Sequence, residues 1–131
     1  MNANLTIDDD IKVKVKELRM KRKHQWLRCG LNEDKTSVVV LDCGEPNSTW
    51  NSMMECVPSD QVSFLVWDDK ASNKVFAVYY NNDNGVKVAD KMVGATAWIQ
   101  VKSILESAGC KTLDAHDEGE ISYEEISKRF K

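Results

Sequence analysis

No apolar run in this sequence approaches the roughly 18 residues that a membrane-spanning helix needs, so the chain reads as one that is not membrane-embedded. Histidine is scarce: His24 and His116 are the only two. There is no HExxH, no GxSxG and no phosphate-binding glycine loop, so no enzyme and no cofactor are expected. Cys29 or Cys110 would make a nucleophile pair with His116 only if the fold chanced to bring them together. The four cysteines, Cys29, Cys43, Cys56 and Cys110, form no CxxC pair, which argues against zinc and any other metal centre. Two prolines and six glycines are too few for a long disordered tail. The opening segment MNANLTIDDD is polar and acidic, unlike a signal peptide, so a cytoplasmic chain with reduced thiols is expected. Nor is there a strong charge of one sign. The formal net charge is −3, so no nucleic-acid partner is expected and any basic site must be a local patch.

What is present fits one soluble domain. Apolar residues make up 42% and charged residues 30% of 131 positions, enough for one sizeable core, and a monomer is expected. Ile7, Ile11, Val15 and Leu18 make a helical stripe, with Thr6 as its cap and Asp8, Asp9 and Asp10 at the end where the helix dipole favours negative charge. The basic run Lys21-Arg22-Lys23 reads as a solvated helix end. QWLRCGL and SVVVLDC follow as a hairpin across NEDKT. A short helix over Trp50 to Val57 is expected, capped by Asn47 or Ser48 and ended by Pro58. QVSFLVW and KVFAVYY, joined by about six residues (DDKASN), are apolar on both faces and so belong in the centre of a sheet covered on both sides. Val88, Met92, Ala95, Ile99 and Leu105 then form a long helical stripe with Gly94 inside it and Gly109 as a stop. CKTLDAH is a last strand and SYEEISKRFK a last helix. The fold class is α/β of the α+β type: one domain over residues 1–131, a five-stranded mixed sheet with helices on both faces.

The segment LDAHDEGEISYEEI invites a second reading. Asp114, Glu118, Gly119, Ile121 and Glu125 fall where a calcium loop places two ligands, its turn glycine, an aliphatic residue and its bidentate glutamate. A helix should run into such a loop, yet Gly109 stops the preceding one, and His116 stands where an oxygen donor belongs. The alternative uses every residue: Ser122 as N-cap with Glu125 three positions on, and Ile121 with Ile126 as a hydrophobic staple.

The order of elements and several strings resemble the actin-depolymerising factor/cofilin family. VKELRMKRKHQWLRCGL looks like its first helix, basic turn and first strand, VADKMVGAT like its long-helix motif, and DAHDEGEIS like the entry to its last helix. The likeness runs from Thr6 to Phe130. It implies an actin-binding domain that prefers ADP-bound monomers and promotes filament turnover. On the monomer side it points to Asn2, Ala3 and Asn4, and to Lys87, Lys91, Met92, Thr96 and Trp98. On the filament side it points to the hairpin at Lys70 and Lys74, and to Lys128, Arg129 and Lys131. It also implies a phosphoinositide as a further partner, with Lys21-Arg22-Lys23 a candidate contact.

Departures from the family pattern are concentrated in the long helix. Ala89 and Asp90 stand where a basic residue and its neighbour belong, Gly94 replaces a tyrosine and Trp98 replaces a basic residue. Lys87 is a partial substitute one turn before Lys91. Weak filament binding and severing follow from the short hairpin, and the absence of a serine after the initiator region puts phosphoregulation in doubt. The rival to actin binding is a divergent interaction module for another cytoskeletal partner. For Met92 the rival to an actin contact is core packing; Trp98 is a core candidate like Trp26, Trp50 and Trp67, with an exposed contact as its rival reading.

Overall fold

The computed structural model describes residues 5–130, so Asn2, Ala3, Asn4 and Lys131 lie outside the described residues. The element order is β1 (Thr6–Ile7), α1 (Asp10–Met20), β2 (Trp26–Leu31), β3 (Ser37–Cys43), α2 (Trp50–Glu55), β4 (Ser63–Asp69), β5 (Lys74–Tyr80), α3 (Val88–Ser107), β6 (Lys111–Ala115) and α4 (Tyr123–Arg129). The strands form one mixed sheet in the order β1-β3-β2-β4-β5-β6. The four middle strands pair antiparallel, and the edge pairs β1 with β3 and β5 with β6 are parallel.

Alternation along the central strands creates two cores. Phe64 and Val66 of β4, with Ala77 and Tyr79 of β5, face α1 and α3. Leu65 and Trp67, with Phe76, Val78 and Tyr80, face α2 and α4. Every residue of β4 is buried, and β5 is buried but for Lys74 at its start. A strand apolar on both sides can sit only between two covered faces, as the sequence led us to expect.

Five local expectations are corrected. The sheet has six strands rather than five, because Thr6 and Ile7 pair with Ser37 and Val38. Thr6 therefore does not cap α1. Its hydroxyl contacts Ser37 Oγ at 2.5 Å, Asp9 is the N-cap, and Asp8 Oδ1 accepts from Asp10 N at 3.0 Å. The buried stripe of α1 is Ile11, Val15 and Leu18, without Ile7. The cap of α2 is Thr49, neither Asn47 nor Ser48; Thr49 and Ser52 bond reciprocally to each other's backbone N–H, satisfying donors the helix itself cannot. Asn47 instead takes a left-handed turn at φ 69°. The β4–β5 connector is only residues 70–73, since Asp68 and Asp69 belong to the strand.

The final helix starts at the expected cap, with half of the expected capping box formed, since the Glu125 carboxylate faces Lys128 instead of Ser122 N. Ser122 Oγ accepts from Glu125 N at 3.3 Å, and Ile121 and Ile126 are both buried. The segment before it is the strand β6 and a turn rather than a helix, so the geometry that a helix–loop–helix calcium site needs is not formed there.

Candidate partner-binding surface on the long helix

Twenty residues of α3 lie across the sheet face that also carries α1. Its inner side is Gly94, Ala97, Trp98, Val101 and Leu105. Trp98 stacks on Phe64, with centroids 5.9 Å apart and an interplanar angle of 13°, and on Tyr79 at 5.5 Å. Gly94 lets the helix approach. A β-carbon there would lie 2.7 Å from Tyr79 Oη and 3.0 Å from Val62 Cγ1.

The outer side is unexpectedly apolar. Val88 is 72% exposed, Met92 65% and Ile99 72%. Spacings of four and seven put all three on one face, opposite the buried one. That row is about 16 Å long at 1.5 Å per residue. Val88, Met92 and Ile99 do not form the core stripe that the sequence suggests; the core side is set by Gly94, Ala97, Trp98 and Val101 instead. Each exposed apolar residue alone needs no explanation, but a contiguous row on a helix is the form that a helix-in-groove contact takes.

Polar residues flank the row in fixed positions. Lys91 Nζ donates to Asp83 O at 3.1 Å and lies 3.7 Å from Asp83 Oδ1, so its charge is held at the start of the helix. Thr96 is exposed, and its hydroxyl donates to Met92 O at 3.1 Å. Lys87 is exposed at the N-cap, its carbonyl receiving Lys91 N. Asp90 is drawn off to the side by an ion pair with Lys35 of the β2–β3 turn. Its acidic charge is therefore partly neutralised before any partner arrives.

Of the residues proposed from the sequence, the structure gathers Lys87, Lys91, Met92 and Thr96 on and beside this face. Trp98 is removed from it. At 8% exposure, stacked between helix and sheet, it is a core residue and not an exposed contact. Val88 and Ile99 were missed as surface residues because α3 is apolar on both sides, and periodicity alone cannot say which side meets the sheet.

The second set lies at the β4–β5 hairpin and α4. Lys74 Nζ donates to Phe130 O at 3.2 Å, which ties the start of β5 to the end of α4. Arg129 donates to Asp114 O at 2.9 Å, Lys70 to Asn47 Oδ1 at 2.8 Å, and Lys128 lies 3.5 Å from Glu125 Oε2. Lys74 and Arg129 share a cleft with Lys111, a basic residue that no motif singled out. The tip of the hairpin projects little, being four residues long. In the basic turn after α1, Arg22 pairs with Asp68 at 3.1 Å and Lys23 with Glu17 at 4.0 Å. No group of histidine, cysteine and carboxylate side chains suited to a metal ion occurs among the described residues, and no helix there is long and apolar enough to cross a membrane.

Comparison with known proteins places this geometry. The chain is 26% identical over 135 residues to an actin-depolymerizing factor of Lilium longiflorum, covering 98% of this chain and 96% of that one. It is 26% identical to actin-depolymerizing factor 3 of Arabidopsis thaliana, covering 97% and 95%. Among solved structures, Streptomyces griseoflavus cofilin superposes with a TM-score of 0.78 at 21% identity, covering 95% of this chain and 96% of that one. Mouse coactosin superposes with a TM-score of 0.75 at 15% identity, covering 97% and 90%; at such identities the two structures speak for the fold. The profile of the cofilin/tropomyosin-type actin-binding proteins matches residues 4–131. The chain therefore belongs to the actin-depolymerising factor/cofilin family.

Proposed function

We propose that this protein binds actin through the outer face of α3 and promotes filament depolymerisation and turnover. The observation that carries the reading is the exposed row Val88, Met92 and Ile99, bordered by Lys91, in a chain of an actin-binding family. The row would enter an apolar cleft of actin while Lys87, Lys91 and Thr96 make polar contacts at its edge. Residues Asn2, Ala3 and Asn4 would join this face from the N-terminus. Insertion at such a cleft competes with contacts between neighbouring subunits, which loosens the filament. ADP-bound monomers are the preferred ligand in this reading, as the family resemblance implies. Filament-side contacts through Lys70, Lys74, Lys128, Arg129 and Lys131 are weak, because the hairpin is short and several of these cations are already engaged within the fold. A phosphoinositide would compete at the basic positions.

The test is a pelleting titration of preformed filaments. Actin moves into the supernatant as the protein is added, and Lys91→Ala with Met92→Ala abolishes the effect. An unchanged pellet with the wild-type protein left in solution would instead favour a second reading, in which the same face serves another cytoskeletal partner. Ala89 and Asp90 motivate that second reading, because they replace positive charge at the start of the helix with a neutral and an acidic residue.

A further inference from the structure

A groove of about 440 Å³ runs between α1 and the C-terminal half of α3. Its floor is apolar: the half-buried Ile104 and Ala108 face the groove, over Val15 and Leu105, which lie buried beneath. One wall is a row of cations. Lys12, Lys16 and Arg19 follow one another at spacings of four and three along α1, all exposed. The opposite wall carries the hydroxyls of Ser103 and Ser107, and Met20, 69% exposed, stands at one end. Among the described residues none of the three cations is paired with a carboxylate. Arg19 donates to the carbonyl of Ala108 at 2.5 Å, which fixes its position without cancelling its charge.

We propose that this groove docks an acidic amphipathic helix of a partner protein. The layout of charge decides the occupant. A small anion or a single carboxylate head would be met by cations converging on one point. Here the cations are spread over about 10 Å, one to each turn of helix. That row matches a ligand bearing one acidic residue per turn along one flank. The floor matches the leucine-like side chains of its apolar face. The chain as a whole is negative at −3, so a positive wall here is a local feature that steers an acidic partner to this groove and away from the rest of the surface. The surface is distinct from the Val88–Met92–Ile99 row and does not depend on the actin reading.

The test uses the full chain and a fluorescein-labelled, lactam-stapled peptide of about four turns, with leucines on one face and a glutamate in each turn beside them. Fluorescence anisotropy should give saturable binding with a micromolar Kd. Lys12→Glu with Lys16→Glu should weaken it by about tenfold or more. A peptide with lysines in place of the glutamates should prefer that double variant over wild type. A peptide with alanines in place of the leucines should not bind. Met92→Ala should bind the peptide as wild type does, which separates this site from the actin face. Both lysines are exposed, so the double variant keeps its fold, and its thermal melt checks this. No saturation by about 1 mM peptide, or a Kd indifferent to the charge reversal, overturns the proposal. So does a result in which phosphatidylserine vesicles, or a second copy of this chain seen by sedimentation, take the groove in a manner sensitive to the reversal while the peptide does not.

Discussion

The Tyr79 hydroxyl occupies the space beside Gly94 into which any side chain at that position would project, 2.7 Å from where its β-carbon would lie. Glycine inside a helix costs about 1 kcal/mol against alanine, yet here it admits the long helix to the sheet. Gly94→Ala recovers that intrinsic cost. It also forces Tyr79, itself stacked against both Phe64 and Trp98, and Val62 to give way. Overpacking of this kind costs about 1–3 kcal/mol, so the overpacking outweighs the propensity gain. Chemical denaturation should show Gly94→Ala less stable by about 1 kcal/mol. Pairing it with Tyr79→Phe should recover part of the loss. An alanine variant as stable as wild type would mean that the helix shifts freely outward.

A different balance holds on the opposite face of the same helix. Met92→Ala and Ile99→Ala remove side chains that are mostly exposed, so stability should stay within about 0.5 kcal/mol of wild type. Actin binding should nevertheless fall by about 2 kcal/mol for Met92→Ala, as for an interface anchor. Ala89→Lys with Asp90→Ser should strengthen it by about tenfold, because it restores a cation and removes an acid at the start of the row. Unfolding curves and pelleting on the same preparations separate the two effects. A Met92→Ala protein that loses stability and binding together would make Met92 a packing residue.

How far the sequence could be read depends on how each element earns its place. The strands β4 and β5 were legible because residues apolar on both faces have only one stable home. The start of α4 was legible because Ser122, Glu125, Ile121 and Ile126 together specify a cap. The orientation of α3 was not legible. Val88, Met92, Ala95, Ile99 and Leu105 read as one core stripe, yet of these only Leu105 lies on the buried side, with Gly94, Ala97, Trp98 and Val101. The choice is made by Phe64 and Tyr79, which lie far away in sequence and offer Trp98 a stacking surface. Thr6 was misread for a similar reason. A threonine before a run of aspartates is a good cap, but pairing with Ser37 claims it first.

The acid side of the stability profile should carry the mark of Asp69. Burial alone would raise its pKa, but bonds to the carboxylate outweigh it and hold the value below the usual range. Ser72 Oγ and Tyr123 OH each donate at 2.6 Å, and Trp67 Nε1 at 3.2 Å. A carboxylate whose folded pKa is depressed contributes stability that is present above its unfolded value, about 3.9. That contribution is lost as the pH falls through the folded value. Asp68 beside it has the opposite sign: burial raises its pKa, only partly countered by Arg22, so its ionisation costs stability as the pH rises through the folded value. Denaturant unfolding from pH 7 downward should show Asp69→Asn well below wild type at neutral pH. The gap should narrow as the pH drops below about 4. A gap that stays constant would show that packing of Tyr123, and not the charge of Asp69, holds α4 to the sheet.

The four thiols should divide cleanly by reactivity. All are free; Cys43 and Cys56 are exposed, while Cys29 and Cys110 are buried. Burial pushes the Cys29 thiol up to about 12 and the Cys110 thiol up to about 11. Only the thiolate attacks a disulfide reagent, so at about pH 8 these two are protected by sequestration and by protonation alike. Cys43 is also shifted upward, chiefly by partial burial, which slows its attack. Titration with an aromatic disulfide should therefore release two equivalents from the native protein, in a fast and a slower phase, and four in denaturant. Cys43→Ser should remove the slower phase. Cys29 sits on β2, in the core facing α1 and α3, so its labelling in native buffer reports opening of that layer. Its rate should rise in Gly94→Ala by the same factor as the unfolding equilibrium. Rapid reaction of Cys29 in the wild-type protein would contradict the packing of α1 and α3 on the sheet described above.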